Sequence, residues 1–245
     1  MNLHPGLIRL VILLAATTIY GRLMGWGFGG MASEAHYYLL NKSLLAVLLL
    51  AYVLITRQGA ASGLAGATNF RTLPIYWPLF LLMILIMSGP LALPDTGTLA
   101  ALAAVAFCVG FAEELMFRGL VFHWFEDQSM RRRVLISALA FGAAHLGGLL
   151  ARDAVAVMLA QSVVAAAVGA VIACARARAQ SIWLPIAVHA GFDFVALAAA
   201  GGIGSAFEDT PATVLKLLIP GIVIWMWAAW LLWKMPRTQL APSPA

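Results

Sequence analysis

Two adjacent glutamates, Glu113 and Glu114, lie in the middle of a hydrophobic run of the sequence. Apolar residues flank them throughout 105–122, and Arg118 follows Glu114 by four positions. A carboxylate at the centre of a membrane-spanning helix costs about 2.5 to 3.5 kcal/mol on insertion scales, so it needs a partner inside the protein. Ionisable groups in such a segment therefore indicate a functional site.

Helical spacing predicts different roles for the two glutamates. Residues four positions apart lie on one face of a helix, so we expect Glu114 to pair with Arg118 as a structural support. Glu113 would point about 100° away from that pair, because each helical residue turns by that angle. We therefore predict that Glu113 is free for chemistry.

Two further apolar segments supply imidazoles at the same four-residue spacing. We expect Phe141 to lie beside His145 as a structural support, and Asp193 to orient His189 by a hydrogen bond from the same helix face. One free carboxylate, two histidines and an orienting acid can activate water and stabilise an oxyanion. The predicted catalytic residues are Glu113, His145, His189 and Asp193.

The same side chains also suit zinc, because histidines and carboxylates are common zinc ligands. The two histidines come from separate segments, and the carboxylate of Glu114 is expected to pair with Arg118. We therefore expect no stoichiometric metal and no cofactor. The sequence has no GxxxxGK, HExxH or GxSxG motif, which argues against nucleotide hydrolysis, a zincin and a serine hydrolase. If a metal were bound, its ligands would be Glu113, His145, His189 and Asp193.

Composition places these residues in a membrane protein. Of the 245 residues, 63% are hydrophobic and 10% charged, whereas soluble domains carry roughly 25% charged residues. We predict one integral membrane domain over residues 1–245, an all-α bundle of about eight transmembrane helices, with the motifs within 99–200. The net charge is +5, and the basic residues are scattered in loops beside the spans. We therefore expect them to meet lipid headgroups and not nucleic acid. The predicted spans are 7–24, 37–55, 75–93, 99–125, 134–150, 154–175, 182–200 and 214–233.

Charges in the connections predict the orientation of the bundle. Connections after the second, fourth and sixth spans and the C-terminal tail are basic, whereas most of the others are acidic or balanced. By the positive-inside rule, we expect both termini in the cytoplasm. Nothing in the sequence indicates a eukaryote-like context, so we expect the membrane to be the inner membrane of a bacterium. The basic set is Arg57, Arg71, Arg131, Arg132, Arg133, Arg176, Arg178, Lys234 and Arg237, and the opposite set is Asp95, Arg152, Asp153, Glu208, Asp209 and Lys216.

Depth along the helices predicts that the polar groups share one site. At about 1.5 Å per residue, Glu113 lies roughly 18 Å from the cytoplasmic end of its span, His145 roughly 16 Å and His189 roughly 10 Å. Three helices therefore bring polar groups to a similar level, which we expect to lie in the cytoplasmic half of the membrane.

The ordered motifs resemble those of the CPBP family, the CAAX-protease and bacteriocin-processing intramembrane endopeptidases related to Rce1. The resemblance covers roughly residues 99–200, and it implies an eight-helix bundle around a cavity that is open to the cytoplasm. The motifs are Glu113-Glu114-x-x-x-Arg118, Phe141-x-x-x-His145 and His189-x-x-x-Asp193.

The resemblance also implies roles for the motif residues. Glu113 and His145 would activate water, His189 and Asp193 would face the scissile carbonyl, and the ion pair of the first motif would brace the fourth helix. Some family members have asparagine in place of Asp193, and an ionised aspartate cannot donate to an oxyanion. Asp193 is therefore either protonated or serves only to orient His189. We expect no nearby cation beyond the one already paired with Glu114.

These observations predict an intramembrane endopeptidase that cleaves a protein or peptide substrate, such as a precursor or a sorted surface protein, without a covalent intermediate. The family includes enzymes described as glutamic and as metallo-endopeptidases. A cation or proton transporter could use the same groups as an ion relay, but transporters often show inverted repeats and the two halves of this chain show none. A non-catalytic immunity protein of the same family is the third alternative, and it should tolerate loss of Glu113.

Overall fold

A computed structural model describes residues 3–31, 33–150, 154–206 and 209–236 of the chain. Within these ranges the regular structure is entirely helical, so the predicted all-α class is confirmed. A 3₁₀ turn (Phe70–Tyr76) precedes α3, a π-helical turn (Leu115–Val121) joins α4 to α5, and a second 3₁₀ turn (Leu146–Leu150) follows α6. The helices are α1 (Pro5–Phe28), α2 (Glu34–Ile55), α3 (Trp77–Met87), α4 (Thr96–Glu114), α5 (Phe122–Trp124), α6 (Met130–His145), α7 (Val155–Arg176), α8 (Trp183–Ala199), α9 (Ile203–Ala206) and α10 (Pro211–Lys234).

Six segments are long and apolar enough to cross a membrane within the described parts of the chain, and the total of about eight spans stays a prediction. The predicted fifth and seventh spans correspond to α6 and α8, which have only 16 and 17 residues. A helix of that length covers about 24 to 26 Å, less than the hydrocarbon thickness of about 30 Å. The six segments are Pro5–Phe28, Glu34–Ile55, Phe70–Ser88, Thr96–Trp124, Val155–Arg176 and Pro211–Lys234.

The third predicted span is also shorter than expected at its C-terminal end. Residues 75–93 were predicted to form it, but α3 ends at Met87. Gly89 and Pro90 follow the C-cap residue Ser88, and proline cannot continue a helix because it lacks the N–H donor. Ala92 instead donates its N–H to the carbonyl of Ala199 at 3.0 Å, which ties this extended segment to the end of α8.

Small residues let the central helices approach closely. The helix α7 is the most buried of the candidate spans and packs against both α6 and α10. A Cβ added to Gly142 of α6 would lie 2.7 Å from the Cβ of Ala166 on α7, so only glycine fits there. Ser162 of α7 donates its hydroxyl to the carbonyl of Gly142 at 2.7 Å. Close packing and a hydrogen bond therefore fix α6, the helix that carries His145.

A second close approach joins α4 to α8. A Cβ on Gly110 would lie 3.1 Å from the backbone nitrogen of Ala190 and 3.2 Å from the carbonyl oxygen of Ile186. Gly110 precedes Glu113 by one helical turn, and Ala190 follows His189 directly. The contact therefore brings the first and third motifs face to face.

Hydrogen bonds join segments that the charge pattern placed on one side of the membrane. Asn69 donates its side-chain amide to the carbonyl of Arg178 at 3.2 Å, which joins the connection after α2 to the connection after α7. His4 lies 2.8 Å from Asp127, which joins the N-terminus to the connection after α5. This grouping agrees with the charge pattern that predicted one common side. Four of the residues used in that prediction, Arg152, Asp153, Glu208 and Arg237, lie outside the described residues.

Impermeant thiol labelling tests the predicted orientation. In a background with Cys108 and Cys174 replaced by alanine, Gln128→Cys and Gln180→Cys should react only in inside-out vesicles, because both connections are expected in the cytoplasm. Thr96→Cys, at the exposed start of α4, is the matched control and should react only from the outside. The reverse pattern would overturn the predicted topology.

Candidate active site

The two glutamates lie where the helix changes its winding. Glu113 and Glu114 are the last two residues of α4, and the chain continues as a π-helical turn over Leu115–Val121 instead of the continuous α-helix that the sequence predicted. Such turns occur often at functional sites. The pairing of Glu114 with Arg118 is nevertheless confirmed: Nη1 of the guanidinium lies 3.2 Å from Oε1 of the carboxylate, and both side chains are fully buried.

Side chains from neighbouring helices hold the carbonyls of this wide turn. The hydroxyl of Ser137 donates to the carbonyl of Phe117 at 2.9 Å, and Nε of Arg176 donates to the carbonyl of Arg118 at 3.2 Å. Nε of Arg133 donates to the carbonyl of Phe122 at 2.9 Å, just beyond the turn. The π-helical turn is thus fixed from α6 and α7 as well as by its own backbone.

Arg118 connects the ion pair to two further helices. Its Nη2 donates to the carbonyl of Gly169 on α7 at 3.1 Å, and its guanidinium carbon lies 4.4 Å from the ring centroid of Phe141 on α6. A Cβ on Gly169 would lie 3.2 Å from that Nη2 atom, so the glycine leaves room for the guanidinium. The guanidinium therefore has hydrogen-bond and cation–π partners despite its burial.

The predicted contact of Phe141 with His145 is present, in an edge-on geometry. Their ring centroids are 4.8 Å apart at an interplanar angle of 74°. The Phe141 ring also meets His189 edge-on, with centroids 5.7 Å apart. One aromatic ring therefore separates and positions both histidines.

His189 is oriented by a different acid from the one predicted. Its Nδ1 atom lies 2.8 Å from Oε1 of Glu114, a hydrogen bond between α8 and α4. Asp193, the predicted orienting residue, lies farther away, with its Oδ2 atom 3.5 Å from Nε2 of His189. The spacing within α8 correctly placed Asp193 on the same face, but it could not show that the close approach at Gly110 brings Glu114 nearer.

Carboxylates face both ring nitrogens of His189. Besides Glu114 at Nδ1, Oε2 of Glu113 lies 3.7 Å from Nε2, close to Asp193. A neutral imidazole has a single N–H donor, whereas the imidazolium donates from both nitrogens. The arrangement therefore suits a positively charged His189.

His145 has the opposite environment. Its Nδ1 atom lies 2.9 Å from the carbonyl oxygen of Phe141, which can only accept a hydrogen bond. The proton therefore lies on Nδ1, and Nε2 is the acceptor of the neutral ring. His145 and Glu113 lie within electrostatic range of each other. This pair combines a carboxylate with an imidazole whose basic nitrogen can accept a proton.

Exposure separates the groups that can meet a substrate from those that cannot. Glu114 and Arg118 are 0% exposed, whereas the side chains of Glu113 and Asp193 are 16% and 27% exposed. The His189 side chain is 7% exposed and lies between these two layers. The arrangement therefore has a sealed ion pair beneath an accessible layer of acids.

Two residues at the site were not predicted from the sequence. Nζ of Lys42 on α2 lies 4.0 Å from Oε1 of Glu113, so the expectation that no second cation is near is wrong. Tyr76 is fully buried within electrostatic range of Glu114 and Arg118. A lysine inside the predicted second span was the available signal for Lys42, because intramembrane cations need partners.

The predicted metal ligands do not form a recognisable metal centre. Among the described ranges, no three His, Cys, Asp or Glu side chains converge in an arrangement that could hold a metal ion. Nδ1 of His189 and Nδ1 of His145 are already engaged by Glu114 and by a backbone carbonyl. The absence of a metal from the working protein stays a prediction.

Comparison with known proteins agrees with the motif pattern. Residues 95–195 match the sequence model of the family described as Type II CAAX prenyl endopeptidase Rce1-like. The match extends from the N-cap of α4 into α8 and includes all three motifs. No curated protein and no solved structure matches the chain. The predicted family resemblance is thereby confirmed over these residues, and it supports a membrane endopeptidase of the CAAX-protease type.

Glu114→Gln should destabilise the fold. The change leaves Arg118 as an uncompensated buried charge and weakens the hydrogen bond to His189, and breaking a buried pair costs about 3 to 5 kcal/mol. Thermal unfolding of the detergent-solubilised protein should show a clearly lower Tm and a lower folded yield. Glu126→Gln, at an exposed surface glutamate, is the control and should leave Tm unchanged. An unchanged Tm for Glu114→Gln would contradict the structural role of the pair.

Proposed function

We propose that the protein is an intramembrane endopeptidase that hydrolyses a peptide bond with a water molecule activated by Glu113 and His145. The observation that carries this proposal is that His145 and His189 both contact the ring of Phe141 while Glu113 lies 3.7 Å from His189, next to a sealed ion pair. The family match over residues 95–195 supports the same activity.

Glu113 and His145 are suited to generate the nucleophile. The carboxylate is partly exposed, and Nε2 of the imidazole is the ring's proton acceptor, because Nδ1 donates to Phe141. Water bound between them loses a proton to this pair as its oxygen attacks the scissile carbonyl carbon. The same proton is then delivered to the leaving nitrogen as the C–N bond breaks, which gives a carboxylic acid and an amine without a covalent intermediate.

His189 is suited to stabilise the tetrahedral intermediate. In its charged form it donates from Nε2 toward the accessible side of the site, while Glu114 holds Nδ1. A fixed cationic donor in a water-poor site is worth much more than the same donor in water, because the local dielectric is low. Asp193 lies beside that nitrogen and either donates a second hydrogen bond or holds the ring charged.

The proposed substrate is a membrane-associated protein or peptide that approaches from the cytoplasmic side. A precursor peptide or a sorted surface protein in the inner membrane of a bacterium would satisfy this description. The mechanism assigns no step to a metal, and elemental analysis of the purified protein should find no stoichiometric zinc. One zinc per chain, with activity lost on chelation and restored by zinc, would replace this mechanism with attack by metal-bound water.

Glu113→Gln should abolish proteolysis while leaving Tm nearly unchanged. The amide has the shape of the carboxylate but cannot accept the proton of water, and general-base catalysis typically contributes about 10²- to 10⁴-fold. The assay uses the wild type in proteoliposomes with two probes: a fluorogenic peptide with a prenylated C-terminal CAAX sequence and an unprenylated hydrophobic transmembrane peptide. Products are identified by mass spectrometry, and Glu126→Gln is the control. Wild-type cleavage by Glu113→Gln would show that the base is misassigned, and a wild type that cleaves neither probe would remove the proposed function.

Asp193→Asn separates the two roles of Asp193. If the residue donates to the oxyanion, the amide supplies an equivalent donor and substantial activity should remain. If it acts as an ionised partner of His189, the amide should cost several orders of magnitude, as replacement of an orienting aspartate does in catalytic triads. We expect activity to remain, because Glu114 already orients the ring. A well-folded Asp193→Asn protein with almost no activity would contradict this.

A further inference from the structure

One side chain of α2 enters the site although α2 lies outside the residues that match the family. Lys42 comes eight residues after the start of α2, in a helix apolar enough to cross a membrane. A lysine at such a depth is expensive unless it pairs with an acid or lines a polar cavity. Its ammonium nitrogen lies 4.0 Å from Oε1 of Glu113, and its side chain is 26% exposed.

The two charges meet because they lie at the same level of the bundle. Lys42 is thirteen residues from Ile55, about 20 Å along the helix, and Glu113 lies about 18 Å from the matching end of its own span. The helices α2 and α4 pack against each other. A hydrogen bond from the hydroxyl of Tyr20 on α1 to the backbone carbonyl of Asn41 at 2.5 Å joins α1 to α2 next to Lys42.

Lys42 and His189 face different oxygens of the Glu113 carboxylate. Oε1 of the carboxylate faces the ammonium at 4.0 Å, and Oε2 faces Nε2 of the imidazole at 3.7 Å. Both distances exceed a direct hydrogen bond, so the carboxylate is held between two cations while its lone pairs stay accessible. The buried pair of Arg118 with Glu114 differs, since it is sealed from the substrate side.

Lys42 adds a positive charge to a site that contains three carboxyl groups. Three carboxylates face one another across α4 and α8, and Arg118 neutralises one of them. A charged His189 neutralises a second. Lys42 supplies a further positive charge, and its ammonium nitrogen lies 4.0 Å from the carboxylate of Glu113.

We propose that Lys42 is a positioning residue of the peptidase reaction, whose ammonium group holds the Glu113 carboxylate in the geometry that activates water. The inference rests on the proposed function. It assigns α2 a part in catalysis although the family match begins at residue 95. Loss of the ammonium lets the carboxylate turn toward His189, and a misplacement of about 1 Å in such a group can reduce the rate about 100-fold.

Three variants separate positioning from a merely structural role. Lys42→Met should lower kcat by about 10- to 100-fold with little change in KM and Tm, because it removes the charge and keeps the side-chain length. Lys42→Arg should restore most of the activity. Lys216→Met, at an exposed lysine of α10, is the matched control and should behave like the wild type. Wild-type kcat in Lys42→Met would overturn the inference, and so would a loss of activity that only follows a loss of folded protein.

Chemical rescue tests the charge itself. Lys42→Cys is made with Cys108 and Cys174 replaced by alanine, and the thiol is treated with 2-bromoethylamine, which displaces bromide and rebuilds an ammonium at nearly the same distance. Iodoacetamide adds a neutral group of similar size and is the control. Recovery of kcat with bromoethylamine alone is the expected result, and equal behaviour after both reagents would overturn the inference.

The same assays separate the failure of this inference from the failure of the proposed function. The probes are the prenylated CAAX peptide and the transmembrane peptide used with Glu113→Gln. If the wild type cleaves a probe, Glu113→Gln does not, and Lys42→Met does so at full rate, only the Lys42 inference fails. If the wild type cleaves neither probe, the proposed function fails and the inference fails with it.

Discussion

A charged pair sealed inside a membrane protein requires nearby polar partners, and this requirement organises the centre of the bundle. Glu114 and Arg118 are fully buried, and a buried charge is costly unless protein groups pair with it. The guanidinium reaches a carbonyl on α7 and a ring on α6, and the carboxylate reaches His189 on α8. One ion pair on the α4 segment therefore fixes three neighbouring helices relative to it. The positions of Glu113 and Asp193, in the accessible layer above it, depend on this fixed ion pair.

Glycine residues are as important here as the charged residues. Gly110, Gly142 and Gly169 each occupy a place where a methyl group would press on a neighbouring helix or on the guanidinium. In a lipid environment, helix association depends on close van der Waals packing because lipid tails are as apolar as the helix surfaces. Glycine at these positions shortens the distances between α4, α6, α7 and α8. Polar groups on separate helices can then reach one another.

The sequence predicted much of this arrangement, and its errors have physical causes. Composition predicted the helical membrane class, and four-residue spacing predicted the pair of Glu114 with Arg118 and the contact of Phe141 with His145. Contacts between helices were beyond that reasoning, since spacing describes one helix at a time. The hydrogen bond of His189 to Glu114 and the approach of Lys42 to Glu113 were therefore missed. The lengths of α6 and α8 could not be predicted either, because apolar runs do not show where these helices begin and end.

The π-helical turn after Glu114 determines which face of the helix the following residues occupy. Each extra residue in a helix rotates the later residues by about 100° relative to a straight helix, so a wide turn changes which face they present. Phe122, just beyond the turn, consequently lies against the guanidinium groups of Arg133 and Arg176. Deletion of a single residue within Leu115–Val121 would favour regular α-helical winding. It would also rotate Phe122 about the helix axis relative to the two glutamates. The chain therefore has little tolerance for length changes here, even though many apolar residues could fill each position.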